Sequence, residues 1–74
     1  MNESEFLEAY KLLELNYNKK LPDEIIRLWY NKFKDVPKEV FKESIIDTIE
    51  RDAIFPTMEI VNRRVEINGR RKFN

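Results

Sequence analysis

The chain has no cysteine and no histidine among its 74 residues, so it can form no disulfide, and any structural zinc site would have to rest on carboxylates alone. Apolar packing must hold it together. A single glycine leaves no room for a glycine-rich phosphate loop, and Ser4 and Ser44 lie in helical contexts without a base partner. No catalysis is expected, and no cofactor. The sequence also lacks an apolar run near the roughly 18–20 residues of a membrane span, and it opens Met1-Asn2-Glu3, unlike a signal peptide. A soluble, cytoplasmic protein is expected. Net charge is missing too: 14 basic and 14 acidic side chains cancel, leaving no global field to draw the molecule to nucleic acid or lipid.

What remains is rich in leucine, isoleucine, lysine and glutamate, a composition for helices joined by short turns. A chain this short forms one domain and buries only roughly 60–65% of its unfolded surface, so its margin of stability is narrow. In "NESEFLEAYKLLELNYN", Asn2 is an N-cap and Glu5 its partner in a capping box. Phe6, Tyr10, Leu13 and Tyr17 follow at i, i+4, i+7 and i+11, one face of a helix widened by Leu7 and Leu12. A basic turn leads to Pro22 at a first helical position, with Asp23 and Glu24 complementing the helix dipole. Ile25, Leu28, Trp29, Lys32 and Phe33 then keep the helical period, with Ile26 and Tyr30 beside them; Trp29 is the expected centre of the core. Pro37 starts a third helix whose inner row is Phe41, Ile45, Thr48 and Ile49, helped by Val40 and Ile46. The charged face from Lys38 to Arg51 is an ordinary wet surface.

"RDAIFPTMEIVNRR" breaks the pattern. Pro56 biases Phe55 toward extended backbone, so the third helix must end near Ala53 to Phe55, and Thr57 is placed to cap a new one. Ile54 and Phe55 are expected to plug the end of the bundle; if the Phe55 ring is fully buried, Phe55→Ala costs roughly 3–5 kcal/mol. A short fourth helix over 58–66 turns Ile60, Val61, Val65 and Ile67 inward, and Asn68-Gly69 stops it or makes a tight turn. A hairpin pairing "VEI" with "RKF" is the other reading of that pair. The expected architecture is an all-α bundle of three main helices and a short fourth over 1–67, followed by a basic, flexible tail over 68–74.

The charge is unevenly spread. Beyond Ile60 lie Arg63, Arg64, Arg70, Arg71 and Lys72 against one acid, Glu66, so that end suits an acidic partner or, alternatively, is a solvated terminus. A DNA-binding helix carrying Arg63 and Arg64 is a second reading, opposed by the bracketing Glu59 and Glu66 and by the lack of a basic stripe interleaved with aromatics. Carboxylates at helical spacing, such as Glu39, Glu43 and Asp47, are expected by chance in a charged surface helix and make no metal site.

The order of features is itself informative. "IIRLWYNKF" at residues 25–33 and "VFKESIIDTIERDAIFPTMEI" at 40–60, after a tyrosine-bearing first helix, resemble the helicase loader and inhibitor proteins of Gram-positive phages. The likeness spans most of residues 5–62, and the Trp29-Tyr30 pair and the Phe55-Pro56-Thr57 corner are its specific parts. It implies a small helical domain, monomeric in our reading, that binds a replicative DNA helicase in the host cytoplasm, delivering it to a phage origin-binding protein or restraining it. Members of that family continue into a C-terminal segment that contributes to the helicase contact. By that resemblance the contact here falls on "RRVEINGRRKFN", with Arg63, Arg64, Arg70, Arg71, Lys72 and Phe73 as candidates. An inhibitor of another host protein is the alternative.

Overall fold

The described residues form four helices: α1 (Glu3–Tyr17), α2 (Asp23–Phe33), α3 (Lys38–Arg51) and α4 (Met58–Phe73). The computed structural model describes residues 1–73, with side chains through Arg71. The fold is all-α, as the apolar periodicity requires. α3 is the central element, packed against both α1 and α4.

Local chemistry sets most helix ends. Asn2 accepts the Glu5 backbone N–H at 2.8 Å while the Glu5 carboxylate accepts the Asn2 N–H at 3.0 Å, the reciprocal box expected from the sequence. That bond to the Asn2 amide holds the Glu5 carboxyl below its usual value. α1 ends at Asn18, which takes the left-handed conformation at φ 49° that asparagine tolerates better than most residues. Pro22 and Pro37 stand one residue earlier than expected, as the N-caps of α2 and α3 with extended backbones. Thr57 caps α4, its hydroxyl accepting the Ile60 N–H at 3.3 Å.

The core is an aromatic chain. Tyr10 meets Trp29 edge-on at 5.8 Å, Trp29 touches Phe33 at 5.9 Å, Phe33 touches Phe41 at 5.2 Å, and Phe41 stacks on Phe6 at 5.4 Å. These contacts tie α2 to α1 and α3 through ring edges and faces. Trp29, Phe33, Phe41 and Ile45 are buried, as the periodicity predicts.

Several expectations fail at the rim. Ile25 and Leu28 on α2 are exposed at 38% and 53%, because a helix on the edge of so small a bundle covers only a narrow stripe, and Ile46 on α3 is exposed at 39% beside the buried Ile45. Ile54 is also exposed, so Phe55 alone closes the end of the bundle, set edge-on to Tyr17 at 5.7 Å and Trp29 at 6.2 Å.

The largest difference lies in α4. The helix does not stop at Asn68-Gly69 but runs through them to Phe73, so the boundary expected after residue 67 falls inside an element. No strand forms among the described residues, which sets aside the hairpin reading. Asn68 lies on the inward row of Val61 and Val65, and its amide donates to the Ser44 hydroxyl at 3.0 Å and the Asp47 carboxylate at 3.1 Å. Gly69 keeps a negative φ, so it is not used as a left-handed cap. Bonds to α3 override a local stop signal. The same bonds satisfy the buried face of α3, where Ser44 and Thr48 return their hydroxyls to the carbonyls of Val40 and Ser44, both at 2.8 Å.

Candidate functional site

Extension of α4 places the candidate basic residues on one helix. A concavity of about 400 Å3 opens between α3 and α4. Asp47, Arg51 and Asp52 line one wall. Ile60, Arg63, Arg64, Ile67 and Arg71 line the other, on successive turns of α4, with Asn68 at the base.

The arginines there differ in how they are engaged. Arg64 donates to both oxygens of Asp52 at 2.8 and 3.2 Å, with only 22% of its side chain exposed. Those bonds hold the Asp52 carboxyl below the usual carboxylate value, against the cost of its partial burial, and raise the Arg64 guanidinium. Arg63 pairs at 2.6 Å with Glu59 one turn back, and both side chains are 72% exposed, an arrangement worth little in water. Arg51 and Arg71 are exposed and carry no ion pair among the described residues. Ile67 stands between Arg63 and Arg71 at 49% exposure rather than facing inward as expected, because Val65 and Asn68 occupy the inward row.

Of the residues the sequence singled out, Arg63, Arg64 and Arg71 come together in this groove and Arg70 lies outside it, exposed. The side chains of Lys72 and Phe73 lie outside the described residues. Sequence reasoning missed the α3 wall and Ile67. Its signal was present in the spacing of Ile60, Arg64, Ile67 and Arg71 at i, i+4, i+7 and i+11, obscured by taking Asn68-Gly69 as a stop.

A second cleft, of about 410 Å3, lies between α1 and α2, with Phe6, Tyr10, Glu14, Ile26 and Tyr30 among its walls. The Tyr10 hydroxyl and one Glu14 carboxylate oxygen have no hydrogen-bond partner among the described residues, but both are covered by the packing. Burial, and then the charge of Glu14 one turn on, push the Tyr10 phenol well above its usual value. Polar atoms so covered present nothing to a ligand, so the α3/α4 groove is the stronger candidate. It offers charge and apolar surface together. No helix among the described residues is long and apolar enough to cross a membrane. Comparison of the chain with protein-family models, curated proteins and solved structures gives no match.

Proposed function

We propose that the chain is a non-catalytic adaptor that binds a replicative DNA helicase and offers the α3/α4 groove as its contact surface. The observation that supports it is the exposed Ile67 set between Arg63 and Arg71, with Arg51 facing them and neither Arg51 nor Arg71 in an ion pair among the described residues. Apolar surface flanked by guanidinium groups, of which Arg51 and Arg71 stand outside any ion pair among the described residues, is the composition of a protein contact, where arginine and a desolvated apolar centre carry affinity. The identity of the partner rests on the sequence resemblance. In this reading the chain acts as a monomer in the host cytoplasm, with a phage origin-binding protein as a possible third component and no membrane.

DNA is the less favoured partner. A phosphate backbone laid in the groove gains nothing from the exposed Ile67 at its centre. The reading is tested by light scattering on a sizing column, with the protein mixed with a Gram-positive replicative helicase in ATP and moderate salt. Co-elution at a defined ratio is expected. A folded, monomeric protein that never travels with the helicase would move the other-inhibitor reading ahead, and binding to duplex DNA that weakens steeply with salt would favour the DNA reading.

A further inference from the structure

We infer that the α3/α4 groove takes one face of an acidic, amphipathic helix of its partner, with an apolar side chain against Ile67 and carboxylates a turn away on either side. This rests on the reading of the chain as a partner-binding adaptor and adds the chemistry of what is bound. Ile60, Arg64, Ile67 and Arg71 form one strip along α4, about 16 Å from end to end at the rise of an α-helix. A complementary helix therefore needs about three turns. The trough between two packed helices suits a third one, recognised through anchors at i, i+3, i+4 and i+7.

The charges say which helix. Arg51 and Arg71 are exposed without an ion pair among the described residues, and Arg63 is held only by an exposed pair within its own helix, which a partner carboxylate can replace at little cost. Arg64 is different, because its guanidinium is occupied by Asp52; it forms the wall of the groove and is not a contact. The apolar seat sits between the available arginines. Were the ligand a phosphate chain, that central apolar position would be wasted.

The test is a nitrogen-15 amide NMR titration of the full chain with a synthetic helix-forming peptide of roughly four turns, carrying a leucine flanked by glutamates one turn away on each side. A scrambled peptide of the same composition and a short DNA duplex serve as comparisons. Shifts confined to the groove are expected, with binding weakened about tenfold by Arg71→Glu or Ile67→Ser and unchanged by Lys20→Glu, beside the α1/α2 cleft. All three side chains are exposed, and thermal melts check that each variant folds. Equal binding of the scrambled peptide, an equal response to the duplex, shifts elsewhere, or shifts on simple concentration of the protein would each overturn the inference. The same variants mixed with helicase separate the two claims. Co-elution undiminished by Arg71→Glu and Ile67→Ser sinks the groove and spares the adaptor; groove-specific peptide binding without helicase co-elution does the reverse.

Discussion

The Asp52 carboxylate grips the Arg64 guanidinium with both oxygens, at 2.8 and 3.2 Å, across the corner that joins α3 to α4. The same residue's carbonyl accepts the Tyr17 hydroxyl at 2.8 Å, so α1 is fastened there too. Removing the charge with Asp52→Asn keeps the shape and loses the ionic pair. Discounted for its partial exposure, the loss is about 1 kcal/mol, or about 4–8 °C in melting temperature for a domain this size. The carboxyl is held below its usual value, so its contribution is present above the unfolded Asp value near pH ~3.9 and lost as pH falls through the lower folded one. Melts followed by circular dichroism should show the parent losing stability in acid more steeply than the Asp52→Asn protein. Coincident melts at every pH would mean that the pair does not hold the corner.

Tyr10 contributes to the alkaline limit, together with Tyr17, whose phenol is also raised by burial. The folded Tyr10 phenol is raised, so the folded state keeps its proton while the unfolded chain loses it above about pH 10. The Tyr10 contribution is constant below that and falls as pH rises toward the folded value. Ultraviolet titration should show Tyr10 ionising only as the protein unfolds. Tyr10→Phe should change stability little at pH 7, where the hydroxyl it removes lies near Glu14 without a bond of good geometry, and should reduce the alkaline loss. A Tyr10 that titrates early in the folded protein would contradict this.

Gly69 offers a test of α4 itself. A Cβ there meets nothing nearer than Val40 Cγ1 at 4.0 Å, and the backbone is helical, so Gly69→Ala should stabilise the protein by about 0.5–1 kcal/mol. Asn68→Ala, one residue earlier, should cost about 1–2 kcal/mol by leaving Ser44 and Asp47 without their donor. Urea denaturation of both variants decides the matter. If Gly69→Ala destabilises, the chain turns there as a left-handed cap instead.

Phe55→Ala should cost about 2 kcal/mol rather than the 3–5 of a fully buried ring. The side chain is half-buried, edge-on to Tyr17 and Trp29, with the Lys19 ammonium 5.6 Å above it. The change opens one side of Trp29, whose fluorescence should shift to the red before the melt. An unchanged spectrum would show that Phe55 does not shield the indole.

Local chemistry written in consecutive residues determined much of the fold. Asn2 with Glu5, the prolines at 22, 37 and 56, Thr57 and the apolar row of each helix are read within a turn or two of chain, where spacing alone fixes which groups can meet. Trp29 as core was legible for the same reason. Only the tertiary structure decided the path through Asn68-Gly69, because its partners Ser44 and Asp47 are more than twenty residues away and nothing local announces them. It likewise decided that Arg64 is tied to Asp52, that Ile67 faces out, and that Arg51 stands across a groove from Arg71. A run of arginines in sequence is only a charge count; which of them are neutralised depends on carboxylates brought from elsewhere, and on that distinction the candidate site rests.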